Sequence, residues 1–344
     1  MRAMAVTSYG EPLEPIEAEE PTLFAGSALL EVLTCGVCFS DLKTARGKMP
    51  YSGGLTLPHV CGHEVCGRVI ETDPPGALKG GTVVVCYHVW PCRVCSRCRA
   101  GRDNLCLQPR AWMGFTNPGG FQERVVVPLD RVSEVPSNID PVHAASLTCA
   151  LGTGYRAVGQ GRIAPGSRAA VLGLGGVGIH ALQVAHVAGA RVVGLDVSER
   201  SLAAAGDLGI DAWDNRDPGV VDRVLAATDG EGLDVVIDCV GTQETIAQSE
   251  KMVRAGGRIV AVGYSLTSDI HIPSTRFVLE EVELVGSRYV LMDELQRAIR
   301  LVADGRVKMV VDWVKPLEEV NVVMEGLEGG KIVGRAVLDV AGVT

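Results

Sequence analysis

The chain has 344 residues, 47% of them hydrophobic and 21% charged, with a formal net charge of 32 − 41 = −9. Those proportions are globular, the length suits two domains, and the acidic balance argues against nucleic acid, whose phosphates are met by Lys and Arg. No apolar run approaches the roughly 18 residues of a membrane span and residues 1–7 lack the apolar core of a signal peptide, so a cytoplasmic protein with no membrane partner is expected.

Residues 1–150 read as short strands with many Gly and Pro and few long helices, a β-rich domain. Ten of the eleven cysteines fall in the first 149 residues. In a reducing compartment such clustering signals metal or catalysis more than disulfides. The first group is Cys35-Gly-Val-Cys38-Phe-Ser40-Asp41, followed by Gly62-His63-Glu64 and, much later, Thr148-Cys149. Each is weak alone. A single Cys is usually a small core residue, Asp41 suits a helix N-cap, and Glu64 suits a solvated surface. Together, two Cys and one His supply three ligands and leave a fourth zinc position open, the arrangement of a catalytic site.

The sharpest signal is Cys92-x2-Cys95-x2-Cys98-x7-Cys106. Four thiolates at this spacing can close a tetrahedron around a structural Zn²⁺, and an iron–sulfur cluster ranks below it. Arg93, Arg97, Arg99 and Arg102 stand against one acid, Asp103, and are expected to offset the surplus negative charge and donate to sulfur.

The second half opens with an apolar strand, then Gly173-Leu-Gly175-Gly176-Val177-Gly178, then the helix-prone stretch 179–188. This is the strand, G-x-G-x-x-G, helix pattern of a dinucleotide site. The next strand ends at Asp196, placed to accept from both ribose hydroxyls of NAD and to repel the 2′-phosphate of NADP; nearby Arg200 tempers that preference. Further strands are predicted at 233–238, 257–263 and 284–286. Their alternation with helices predicts a doubly wound parallel sheet, an α/β Rossmann domain.

These ordered motifs resemble the zinc-dependent alcohol dehydrogenases of the medium-chain dehydrogenase/reductase superfamily. The likeness spans nearly the whole chain. It rests on C-G-x-C-x-S-D at 35–41, G-H-E at 62–64, the four-Cys lobe, Gly119-Gly-Phe-Gln-Glu123, 149–155, G-L-G-G-V-G at 173–178, and Gly330-Lys-Ile-Val-Gly-Arg335. The resemblance implies a GroES-like catalytic domain at 1–150 and 287–344, interrupted by a Rossmann domain at 151–286. It implies two zinc ions per chain: a catalytic one on Cys38, His63 and Cys149, with Glu64 near it and sometimes reaching it, and a structural one on Cys92, Cys95, Cys98 and Cys106. Ser40 would begin a proton relay and Asp41 would hold the imidazole of His63. Gly173, Gly175, Gly176, Val177 and Gly178 would pass the pyrophosphate, with Asp196, Arg200, Val240, Val262 and Arg335 completing the NAD site and Arg335 contacting the pyrophosphate. One departure is Lys43, where many members carry a His that passes the proton to solvent.

The implied reaction is reversible oxidation of a primary or secondary alcohol to an aldehyde or ketone, with hydride passing to NAD. His88, Trp90, Trp112 and Phe115 are candidate pocket residues, although core packing is an equal reading for each. A homo-oligomer, tetramer or dimer, is expected. Rival readings are a polyol or amino-alcohol dehydrogenase of the same zinc branch, and a non-catalytic, zinc-stabilised dinucleotide-binding protein. The latter would need only the lobe and the glycine loop, with no use for Ser40, Asp41 or an open ligand set.

Overall fold

The computed structural model describes residues 1–49, 55–267 and 269–343. Backbone contacts divide the chain into two units: Met1–Cys149 with Leu291–Ala303 and Val311–Thr344, and Ala150–Val290 with Asp304–Val310.

The first unit is built on a strand of 11 residues, Ser27–Val37, whose apolar and β-branched residues are buried along nearly its whole length. It pairs antiparallel with Glu64–Asp73 on one side and Arg335–Asp339 on the other. The sheet continues through Val83–Cys86 to Val132–Glu134 and, beyond Arg335–Asp339, to Val311–Pro316, while Arg124–Pro128 also joins Ser27–Val37. Its core includes Leu30, Val32, Val65, Val84, Phe121 and Leu338. Pairing of Ala336 with Val37 brings the last strand to the strand that leads into Cys38.

The motif at 119–122 clamps the turn before His63. The N–H groups of Gly119, Gly120 and Phe121 donate to the carbonyls of Val60, Gly62 and Cys61 at 2.8, 2.7 and 3.0 Å, and Gln122 Nε2 donates back to Gly119 O at 2.9 Å. The approach is close enough that a Cβ on Gly119 would lie 2.2 Å from Gly62 O.

The second unit carries a six-stranded parallel sheet in the order Ala212–Asp214, Arg191–Asp196, Arg168–Leu172, Leu233–Asp238, Val253–Ala261, Glu283–Gly286. Numbered along the chain this is 3-2-1-4-5-6, the doubly wound order whose reversal, between the first and fourth strands, forms a ligand crevice at the strands' carboxyl ends. The apolar runs Ala169–Leu172 and Val235–Ile237 are buried because helices cover a parallel sheet on both faces.

The units differ from the implied domains at three places, the first being Ala150, which opens the second unit where the resemblance ends the catalytic domain. The second unit runs to Val290, not 286, and it takes in Asp304–Val310 although both flanks of that segment belong to the first. Asp304–Val310 is held to its unit by side-chain pairing: Gln183, on the helix Gly178–Val187, holds both backbone groups of Lys308, at 2.8 and 2.9 Å.

Because the clash at Gly119 is with backbone, no side-chain rotation relieves it. Gly119→Ala is predicted to destabilise the chain by about 3 kcal/mol, the upper end of overpacking costs. A urea midpoint that falls with unchanged slope checks this; an unmoved midpoint contradicts it.

Candidate metal centre and dinucleotide site

Cys38 ends the central strand and begins the helix Phe39–Ala45 as its N-cap, in extended conformation. Asp41, at the third helical position, is fully buried. Its Oδ2 accepts the N–H of Cys38 at 2.9 Å, the backward reach of a capping box. Its Oδ1 accepts from Gly62 N at 3.1 Å and from His63 Nδ1 at 3.0 Å. One carboxylate therefore orients two elements whose residues are more than 20 positions apart. The Nδ1–H donated to Asp41 leaves the Nε2 lone pair of a neutral imidazole free to ligate.

Cys149 closes the set. It follows the short turns Pro141–Ala144 and Ala145–Leu147. Asp140 caps the first of these through Val142 N and His143 N, and Thr34 Oγ1 pins it to the central strand by donating to Pro141 O at 2.6 Å. One donor atom each from Cys38, His63, Glu64 and Cys149 all lie within 4.8 Å of one another, and all four residues are buried. Glu64 faces the cluster because Gly36 is its partner across the strands; a Cβ there would lie 2.5 Å from Glu64 Oε2.

The electrostatics fit a divalent cation. The Cys38 thiol is drawn well below its usual range by a hydrogen bond from Cys149, with Arg335 and His63 adding to the effect. Cys149, which keeps that proton in a buried site, is pushed well above. Burial alone would lower the His63 pKa, yet the Asp41 carboxylate outweighs it and leaves the imidazole well above its ordinary value. Burial raises Glu64, opposed by Arg335. A metal ion bound among these residues would displace the protons of Cys149 and His63.

Arg335, which the resemblance sets at the pyrophosphate, contacts the ligand cluster. It is 4% exposed. Its guanidinium lies 2.9 and 3.2 Å from the two oxygens of Glu64, and its Nη2 donates to Cys38 Sγ at 3.6 Å and Cys149 Sγ at 3.8 Å. The cause is register: Ala336 pairs with Val37, so Arg335 comes next to Cys38. Nothing local in the sequence announces this.

Ser40 Oγ accompanies the cluster, 3.8 Å from Cys38 Sγ. Lys43, three residues further along the same helix, has its ammonium acidified by partial burial. Phe115 and His88 pack against the His63 ring, with centroids at 4.7 and 5.2 Å. Trp90 instead packs on Phe24 at 6.2 Å and joins the core of the first unit.

In the four-Cys lobe, Sγ–Sγ distances of 3.9, 3.5 and 4.0 Å link Cys92 to Cys98, Cys95 to Cys98 and Cys95 to Cys106. Bonds of about 2.3 Å in a tetrahedron give edges of about 3.8 Å, so the sulfurs suit zinc. The expected guanidinium donors are replaced by backbone. Cys92 N donates to Cys106 Sγ and Cys95 N to Cys92 Sγ, and such N–H bonds bring the Cys95 thiol down to about 6. Tight turns aim their N–H groups inward while Arg97, Arg99 and Arg102 extend into solvent. Arg93 pairs with Asp130, and Arg131, 2% exposed, anchors Asp103 at 2.9 Å.

In the second unit, Gly173 adopts φ +80°, and a Cβ there would come within 2.7 Å of Val240 Cγ2. A Cβ on Gly178 would collide with Gly173 O, whereas one on Gly175 would enter open space, the clearance a phosphate needs. Asp196 stands at the end of its strand and accepts from Leu174 N at 2.5 Å and Ser198 N at 2.7 Å. Arg200 is exposed in the first turn of the helix Glu199–Asp207, and Val262 follows the strand Val253–Ala261. The loop, the open side at Gly175 and the acid fit a dinucleotide.

Comparison with known proteins agrees. The alcohol dehydrogenase GroES-like domain matches residues 25–137 and the zinc-binding dehydrogenase domain residues 176–304. The chain is 34% identical to an alcohol dehydrogenase of Geobacillus stearothermophilus, over 98% of each chain. It is 32% identical to an NAD-dependent alcohol dehydrogenase of Saccharolobus solfataricus, over 98% of this chain and 99% of that one. The crystal structure of the alcohol dehydrogenase of Aeropyrum pernix superposes with a TM-score of 0.91 at 32% identity, covering 99% of this chain and all of that one. With the ligand cluster, the four-Cys lobe and the glycine loop in place, the chain belongs to the zinc-dependent alcohol dehydrogenases of the medium-chain dehydrogenase/reductase superfamily.

Proposed function

We propose that the protein oxidises a primary or secondary alcohol, reversibly, and passes hydride to NAD. The observation that carries this reading is the convergence of the Cys38, His63 and Cys149 donor atoms in one buried cluster. Zinc on these three residues would supply Lewis acidity, lowering the pKa of an alcohol hydroxyl and polarising a carbonyl in reverse. Asp41 keeps His63 in the ligating tautomer. Ser40 Oγ, beside Cys38 Sγ, receives the substrate proton. Arg335 balances the charge of Glu64, so that Glu64 adds no net negative charge against an anion forming on substrate oxygen. The glycine loop and Asp196 hold NAD.

We place the protein in the cytoplasm as a homo-oligomer, dimer or tetramer. None of the eleven cysteines is in a disulfide, which suits a reducing compartment. Val278 and Leu279 are 74% and 76% exposed beside the edge strand Glu283–Gly286, an apolar edge that a second copy would cover.

Four outcomes test the assignment. The wild type is expected to bind two zinc ions per chain by elemental analysis and to form NADH only when alcohol is added; one zinc without turnover would leave a binding protein. Cys149→Ser should lose one zinc and at least about 100-fold in turnover with the fold retained, while Cys95→Ser should lose the other and lower Tm by roughly 5 °C or more. Asp196→Ala should reduce the NAD over NADP ratio of kcat/KM by about tenfold; an unchanged ratio would remove Asp196 from the ribose site.

A further inference from the structure

We propose that His180 is a positioning residue for the dinucleotide loop, and that with Gln183 it makes the loop and the segment Asp304–Val310 a single mechanical element. This rests on the reading that the glycine loop holds NAD.

His180 lies in the first turn of the helix that follows the loop and is completely buried. A neutral imidazole has one N–H and one lone pair. Val310 N donates to Nε2 at 3.1 Å, so Nε2 carries the lone pair. Nδ1 therefore carries the proton and donates to Gly176 O at 2.6 Å. The two partners assign the tautomer, and one ring bridges the middle of the glycine loop to the end of the segment.

The same segment is gripped at two further points along the helix. Gln183 Oε1 accepts from Lys308 N at 2.8 Å and its Nε2 donates to Lys308 O at 2.9 Å. Arg306 Nη2 donates to Val187 O at 3.2 Å. Positions 306, 308 and 310 thus step from the last turn of the helix to its first, while Val307 and Met309 between them are buried. The segment forms a strap along the helix. In sequence it is bounded by Ala303 and Val311, residues of the first unit.

The bridge has a consequence for cofactor binding. A carbonyl turned toward the open side of the loop would repel phosphate oxygens, and the ring holds Gly176 O in a hydrogen bond instead. The loop is ordered before the cofactor arrives, which lowers the entropy lost on binding. Moving the strap would require the imidazole to release Val310, so ordering of the loop is felt at Lys308 and Val310.

The test compares His180→Leu, which removes both bonds, with His180→Gln. Gln183 shows that a glutamine on this helix can donate to the carbonyl four residues back, Ile179 O at 3.4 Å, while accepting from the strap. His180→Gln is chosen because its amide can make both bonds. NADH dissociation constants are read by fluorescence titration of the zinc-loaded protein. His180→Leu is expected to bind NADH about tenfold more weakly and His180→Gln within about threefold of wild type. Wild-type affinity in His180→Leu, or equal weakening in both variants, overturns the proposal. If His180→Leu does not fold, hydrogen exchange of the wild type decides: NADH is expected to slow exchange in 308–310 together with 173–178, and protection of the loop alone overturns it. A wild type that binds no NADH would overturn the cofactor reading, and this inference with it; binding with an indifferent His180 overturns this inference alone.

Discussion

One buried carboxylate sets the geometry on which the chemistry depends. Asp41 takes hydrogen bonds from the N–H of Cys38, the N–H of Gly62 and the Nδ1 of His63. A helix start, a turn and an imidazole are thereby locked to each other without solvent. A buried carboxylate is costly unless its oxygens are satisfied, and these three donors satisfy it. The same bonds fix the direction of the sulfur and of the Nε2 lone pair, so folding and ligand geometry are achieved by the same contacts. Gly119 and Gly120, clamped on the Gly62 turn, support that arrangement from behind.

Charge accounts for the remainder of the cluster. Two thiolates and a neutral imidazole cancel a dication, and Arg335 cancels Glu64, so the buried site is neutral apart from Asp41 and what substrate brings. Gly36 leaves space for the Glu64 carboxylate. The register of the last strand delivers Arg335 from 297 residues beyond Cys38. A buried cation of this kind is tolerated because Glu64 and the two sulfurs partner it.

Legibility from sequence followed the range of the interactions. The four-Cys lobe and the glycine loop are local, so spacing alone marked the convergent sulfurs and the turns. The parallel sheet was readable from apolar runs and their alternation with helices. The ligand triad was weak residue by residue and became specific only through the ordered set of motifs. What escaped was pairing between distant segments: Arg335 beside Cys38 depends on strand register, and the strap at 304–310 depends on Gln183 and His180 reaching across from another element. The lobe shows a different limit. Its arginines suggested charge compensation, but the backbone N–H groups, which composition does not display, supply the bonds to sulfur.

On this reading two sulfurs and one imidazole share a metal ion with a coordination position for substrate oxygen. Replacing the catalytic zinc by Co²⁺ tests it directly through the visible spectrum. The account predicts thiolate-to-cobalt charge-transfer bands that disappear from this site in Cys38→Ser, and ligand-field bands that shift when an alcohol or its unreactive analogue is added. Cobalt that binds only at the four-Cys lobe, or a spectrum indifferent to both the substitution and the alcohol, would contradict it.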